Sequence, residues 1–448
     1  MRKIKKIVTD YSKDILLKEY EAEEFPEKYA CMQVINVYPD VEYQKIEGIG
    51  GALTEASAYT LSLMDEKTQN EIVEAYFGKD GIGYRLCRCH INSCDFALGN
   101  YAYVEDPEDT ELKTFDISRD KKYIIPLIKK VQEKSQYELT FLASPWSPPA
   151  YMKTNGEMNH GGQLKKEFAH LWAKYMARFI KEYAKLGIKI SKITVQNEPE
   201  ATQTWDSCRY NAEEEAAFVR DHMGPVFEEE GLSDVEIYVW DHNKEIVFER
   251  ARAIFADEDA AKYITGVAFH WYTGDHFEGV KIVNEKYPDK KLLFTEGCVE
   301  YSRFGDSGEV QKAEMYANDI IGNINAGAEG HIDWNIVLDE KGGPNHVHNY
   351  CAAPIMCDTK TKTYEKRLSF YYIGQISKFV KPGAVRVATT RYSDVVDVVA
   401  FKNPDGERVV VILNKSDKDA ALTLREYDYS KDYTVAAHSI VTLVYDAE

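Results

Sequence analysis

Short apolar runs of strand composition alternate along the chain with segments whose apolar positions recur at i, i+3, i+4 and i+7. Eight such runs stand out, at 45–50, 84–89, 139–144, 193–197, 236–240, 266–271, 292–295 and 330–334. Eight strand-then-helix units is the count of a closed (β/α)8 barrel. The clearest helix lies between the third and fourth runs. There Phe168, Leu171, Trp172, Tyr175, Met176, Phe179, Ile180, Tyr183 and Leu186 keep the helical rhythm, and Gly187 supplies the stop. Amphipathic stretches at 69–77, 122–131, 212–229, 245–255 and 310–324 fit the other slots.

After 379–383 the rhythm changes to strands alone, at 385–389, 395–401, 409–414, 420–424 and 439–444. Asn403-Pro404-Asp405-Gly406 between two of them has hairpin-turn chemistry, because proline fixes φ and glycine tolerates a positive one. Residues 1–44 hold isolated β-like pieces such as 32–38 and no independent helix, so they are expected to add strands to the C-terminal sheet. The predicted division is N-terminal strands 1–44, a catalytic TIM barrel 45–380, and a side β-sandwich completed by 381–448.

Composition narrows the partner. Across 448 residues, 55 Lys and Arg face 74 Asp and Glu, a formal charge of −19. That repels nucleic acid and anionic bilayers and favours a small neutral substrate. No apolar run reaches membrane-spanning length and no apolar signal core follows Met1, so no stable membrane insertion and a cytoplasmic location are expected. The eight cysteines show no C-x-x-C spacing and read as free thiols rather than zinc ligands. No metal and no cofactor are expected, and a homo-oligomer is compatible with the composition. Aromatic residues reach 12%, which suits stacking of sugar rings as well as filling a large core.

Two apolar runs end in an acid. Ile193-Thr194-Val195-Gln196-Asn197-Glu198-Pro199 and Lys291-Leu292-Leu293-Phe294-Thr295-Glu296-Gly297 each deliver a glutamate where strand C-termini face a barrel's active site. The two glutamates stand 98 positions apart, about 33 residues for each of three βα units. Glu198 would then end strand 4 and Glu296 strand 7, facing each other across the mouth. Retaining glycoside hydrolysis needs such a pair, one carboxyl as acid then base and the other as nucleophile. An ionised Glu296 disfavours a second charge nearby, so Glu198 is expected to hold its proton until Glu296 is glycosylated.

The motifs Glu47-Gly48-Ile49-Gly50-Gly51-Ala52-Leu53-Thr54, Ser93-Cys94-Asp95-Phe96, Ala143-Ser144-Pro145-Trp146-Ser147, Met152-Lys153-Thr154-Asn155-Gly156, Gln196-Asn197-Glu198-Pro199, His270-Trp271-Tyr272, Asp333-Trp334-Asn335 and Gly342-Gly343-Pro344-Asn345 stand in order along the chain. With them the sequence resembles glycoside hydrolase family 30, in particular its glucosylceramidase-like branch, over nearly its whole length. The resemblance implies a barrel with a side sandwich built from both chain ends. It implies that Glu198 is the general acid/base, Glu296 the nucleophile, and Asn197 a partner of the sugar 2-OH. Trp146 and Trp334 match residues lining the sugar pocket, Tyr272 one beside the nucleophile, and Asn349 a further pocket residue. Trp271 is expected in the core. Glu55 stands where glucosylceramidases carry an Asp that holds the far hydroxyls of the sugar. His346-Val347-His348 replaces a Trp-x-Arg and is expected to hold no metal.

The expected function is a retaining β-glycosidase acting on β-glucosides or glucolipids, with β-xylosidase, β-fucosidase or β-1,6-glucanase activity as alternatives on the same machinery. A non-catalytic sugar-binding protein is the rival class, and a binder gains little from two clustered carboxylates that are costly to desolvate.

Overall fold

A computed structural model describes residues 2–27 and 33–446 of the chain. Eight parallel strands close into a barrel: β1 (Gly48–Ala52), β2 (Leu86–Ile91), β3 (Thr140–Pro145), β4 (Ile190–Thr194), β5 (Glu236–Asn243), β6 (Ile264–His270), β7 (Lys291–Glu296) and β8 (Gly330–Asn335). Each neighbour in sequence is a neighbour in space, and β8 pairs with β1 to close the ring. Ala169–Lys185 is the helix between β3 and β4, burying its aromatic stripe through Trp172, Tyr175, Phe179 and Tyr183.

Most strand and helix ends shift by a few residues from the sequence reading, and three of the differences have a local reason. Lys45 does not open β1; it ends the twelve-residue strand Val34–Lys45, which pairs with Val385–Thr390 in the sandwich. β4 stops at Thr194 because the next residues turn across the mouth, with the Asn197 N–H donating to Pro145 O at 2.8 Å. The helix expected over 212–229 is broken by a π-turn at Val219–Met223, just before Gly224-Pro225, where proline removes an N–H from the ladder.

The terminal segments form one ten-stranded sheet around a second core that includes Ile35, Val37, Val398, Ile412, Leu424 and Leu443. Lys3–Asp10 pairs antiparallel with Ser439–Tyr445, and Val34–Lys45 lies between Val385–Thr390 and Ala420–Glu426. Met32, where the sequence reading starts that N-terminal strand, and Cys31 lie outside the described residues. The Asn403–Gly406 turn joins Val396–Lys402 to Arg408–Asn414, with Gly406 at φ +90°. The helix Leu368–Ser377 packs between barrel and sandwich, its Tyr372 hydroxyl donating to His438 O and its Gln375 bonding Thr9 and Thr442. Among the described residues no helix is long and apolar enough to cross a membrane.

Candidate active site

Strand periodicity stacks the barrel interior in layers. Leu86, Leu142, Tyr238, Ala268, Leu293 and Ile332 form a dry layer on six of the strands. Two residues further along, the same faces carry Arg88, Ser144, His270, Thr295 and Trp334, because alternate residues share a face. A polar layer therefore sits directly on an apolar one, beneath the C-terminal mouth.

Arg88 organises this polar layer. Its guanidinium is wholly buried and donates to Ser144 Oγ at 3.1 Å, Asn197 Oδ1 at 2.9 Å, Asp241 Oδ2 at 2.8 Å and Glu296 Oε2 at 2.7 Å. Its flat face lies 4.8 Å from the Trp146 ring and 5.5 Å from Trp334, so cation–π contacts add to the ion pairs. Asp241 also accepts from Thr194 at 2.6 Å, Thr295 at 2.5 Å and His270 Nε2 at 2.9 Å. Burial opposes its ionisation, but the charge of Arg88 and the bond to His270 hold it well below the usual carboxylate range.

The two glutamates sit above this layer in different settings. Glu296 ends β7 and accepts short bonds, from Arg88 and from the Tyr272 hydroxyl at 2.9 Å. Glu198 lies four residues past β4 in a left-handed conformation, φ +48°, with its N–H donating to Asp241 O. Such a backbone costs on the order of 1 kcal/mol for a residue with a Cβ. It turns the carboxylate to His270 Nδ1 at 3.3 Å, Gln203 Nε2 at 3.5 Å and His242 Nδ1 at 3.6 Å. These longer contacts hold the side chain loosely beside the tightly gripped Glu296.

Both carboxylates line one cavity of about 390 Å³. Trp146, Asn197, Tyr272, Trp334 and Asn349 line it too. Trp146 and Trp334 stack with ring centres 5.2 Å apart. Trp271 points away, against Phe294 and Tyr316. Glu55 is the expected site residue that the structure does not bring to the cavity. It opens the helix Glu55–Ser62, capped by Thr54, and its carboxylate is taken up by Arg119 at 2.8 and 3.0 Å and by the Leu98 N–H at 2.8 Å. Asp95 faces the cavity instead, its Oδ2 accepting from Asn345 at 3.2 Å and Asn349 at 3.5 Å. His346 approaches Asp206 and His348 bonds Tyr350, so the pair does not converge.

Proton balance departs from the sequence expectation because two imidazoles flank the glutamates. Burial raises Glu198, but the charge of His242 and the bond from His270 outweigh it and hold its pKa down. Burial pushes Glu296 up, aided by the charge of Glu198 and opposed by His270 and Arg88. His270, despite burial, is pushed up to about 9 by Glu296, Asp241 and Glu198.

Arg88, Asp241, His242 and Gln203 escaped the sequence reading. Arg88 left a signal, a charged residue at the centre of a fully buried strand. His242 and Gln203 left none: His242 follows the apolar run 236–240 near the end of β5, and Gln203 sits in the loop after β4.

The barrel, residues 46–380, matches the glycosyl hydrolase family 30 TIM-barrel domain, and residues 383–443 match the family 30 β-sandwich domain. The chain belongs to glycoside hydrolase family 30. This family 30 chain is 32% identical to the lysosomal acid glucosylceramidase of Mus musculus, over 92% of this chain and 83% of that one. It is 26% identical to an endo-1,6-β-D-glucanase of Neurospora crassa, over 86% and 82% of the two chains. The crystal structure of SrfJ from Salmonella typhimurium superposes with a TM-score of 0.96 at 39% identity, covering 100% of both chains. A solved endo-β1,6-glucanase gives a TM-score of 0.90 at 28% identity, also covering both chains fully. The protein is thus a glycoside hydrolase with a glucosylceramidase-like sequence.

Proposed function

We propose that this family 30 enzyme is a retaining β-glycosidase that releases β-glucosyl units by double displacement. Glu296 is the nucleophile and Glu198 the general acid/base. The unequal grip on the two carboxylates carries this reading. Arg88 and Tyr272 aim one Glu296 oxygen each and stabilise the charge it must bear. Glu198, on longer contacts, is free to turn to a glycosidic oxygen.

In the first step a Glu296 oxygen attacks the anomeric carbon while Glu198 protonates the leaving oxygen, a step that calls for carboxyls roughly 5–5.5 Å apart. For this Glu198 must carry the proton when substrate is bound. The two hydrogen bonds to Glu296 favour its ionised form, and a sugar between the carboxyls replaces the space around Glu198. In the second step Glu198 takes a proton from water, which attacks the glycosyl-enzyme ester. Arg88 occupies Asn197 Oδ1, leaving the amide Nδ2 as donor to the sugar 2-OH. Trp146, Trp334 and Asn349 complete the glycone site.

The same proposal divides the chain into N-terminal strands, which end with Lys45 and not at residue 44, a catalytic barrel running to residue 380 and a sandwich completed by the segment from 381. A cytoplasmic setting belongs to it and is supported by seven described cysteines that are free thiols. β-1,6-linked glucosides are the second substrate reading, favoured by the likeness to endo-β1,6-glucanases.

The test is incubation with nitrophenyl β-glucoside, xyloside, fucoside and galactoside, with β-1,6- and β-1,4-linked disaccharides, and with an epoxide-bearing cyclitol followed by peptide mass measurement. Turnover of the glucoside with a covalent adduct on the peptide holding Glu296 is expected. Glu296→Gly with azide should give the α-glycosyl azide; a β-glycosyl azide overturns the nucleophile assignment.

A further inference from the structure

Around Glu198, where β5 and β6 reach the mouth, lies a donor set that glycoside hydrolysis does not call for. One donor atom each from Glu198, His242 and His270 lies within 4.8 Å of the other two. The Glu198 oxygen stands 3.3 Å from His270 Nδ1 and 3.6 Å from His242 Nδ1. Ligands bound at 2.0–2.1 Å around a tetrahedral cation are about 3.3 Å apart, so two of the three edges of such a site already have near its length.

Each imidazole is oriented for this. His270 is anchored through Nε2 to Asp241, which is itself locked by Arg88, Thr194 and Thr295, and so presents Nδ1. A carboxylate behind an imidazole is the usual support of a metal-binding histidine. His242 Nδ1 is buried and makes no hydrogen bond. Asp241 adds negative charge behind the site, answered in part by Arg88 on the far side.

The geometry points to a binding site for a divalent transition cation of the Zn²⁺ type, formed by Glu198, His242 and His270 with a fourth position open to the cavity. Two imidazole nitrogens and one carboxylate oxygen suit Zn²⁺, Cu²⁺ or Ni²⁺ and not Mg²⁺ or Ca²⁺. Binding exchanges the proton on His270 Nδ1 for the metal and fixes Glu198 as a ligand, so the cation blocks proton transfer and competes with the glycoside. That inhibition, though not the binding, rests on Glu198 being the acid/base.

Calorimetric titration of the full chain with Zn²⁺ tests the site, with Mg²⁺ in parallel and inhibition of nitrophenyl β-glucoside hydrolysis measured on the same samples. One equivalent of Zn²⁺ is expected to bind, Mg²⁺ none, and His242→Ala and His242→Gln should each weaken Zn²⁺ binding at least about tenfold. The thiols of Cys298 and Cys351, 3.0 Å apart in the same cavity, are the competing ligands. Binding that survives both His242 substitutions, or that is abolished in a Cys298→Ser/Cys351→Ser double variant, overturns the site. So does the absence of stoichiometric binding up to about 1 mM. Zn²⁺ that binds through His242 without slowing turnover upholds the site and overturns the acid/base role of Glu198 instead.

Discussion

Arg88 donates to Glu296 at 2.7 Å from a guanidinium with no solvent exposure, and the other arm of the same fork holds Asp241 at 2.8 Å. One side chain thus serves as counter-ion to the proposed nucleophile and to the carboxylate that anchors His270. Arg88→Ala should leave both acids buried without a partner and lower stability by about 3–5 kcal/mol. Arg88→Lys keeps the charge but not the fork, and should fold with a smaller loss while kcat drops by more than about tenfold. Denaturant unfolding and steady-state kinetics on the two variants check this pair of outcomes.

Tyr272→Phe removes one hydrogen bond to Glu296 and leaves the ring in place. A bond to a charged acceptor is worth about 1.5–3 kcal/mol, so kcat/KM should fall by roughly ten- to a hundredfold. The thermal midpoint should hardly move, because the hydroxyl faces the cavity. A large drop in midpoint with unchanged kinetics would contradict the placement.

His270 sets a pH window for stability. Its folded pKa, about 9, lies above the unfolded value of about 6.5. Its contribution is therefore fully present below about pH 6.5 and is lost as pH rises through 9. Glu329, at the opposite end of the barrel, is pushed up to about 7 by burial and the charge of Glu47, and its own loss is complete near pH 7. Thermal unfolding should show a decline from about pH 6.5 to 8 to which His270 contributes and which His270→Gln makes shallower, while above about pH 8 the buried cysteines, all pushed up by burial, add their own loss.

Asp95 lines the cavity, whereas Glu55 is held outside it by Arg119 and the Leu98 N–H. Glu55→Ala breaks the pair with Arg119 and should lower the thermal midpoint while leaving the ratio of glucoside to xyloside kcat/KM unchanged. Asp95→Ala, at the cavity beside Asn349, should change that ratio. Equal effects of the two substitutions on substrate preference would show that Glu55 reaches the sugar after all.

Much of this was legible in the chain because barrel strands, covered on both faces, are short and almost continuously apolar runs set apart by helical segments. The eight strands, the sandwich contributions from both termini and the two strand-end glutamates all declare themselves that way. What escaped was set by tertiary contact. Leu368–Ser377 is apolar nearly all round, so it lacks the amphipathic rhythm that marks a surface helix. Tyr429–Val435 is a polar edge strand whose pattern resembles a loop. Glu55 kept its motif position but lost its place at the cavity to Arg119, which is 64 residues away in sequence and carries no motif. His242 reaches Glu198 only because Trp240 and Asp241 adopt left-handed backbone at the end of β5, a detail no residue pattern announces.

The dry layer of Leu86, Leu142, Tyr238, Ala268, Leu293 and Ile332 closes the barrel beneath the charged residues. Water has no passage along the axis, so the hydrolytic molecule, the protons it sheds and the released sugar all travel through one doorway. Any group that caps that doorway should stop glycosylation and deglycosylation, the two steps proposed above, together.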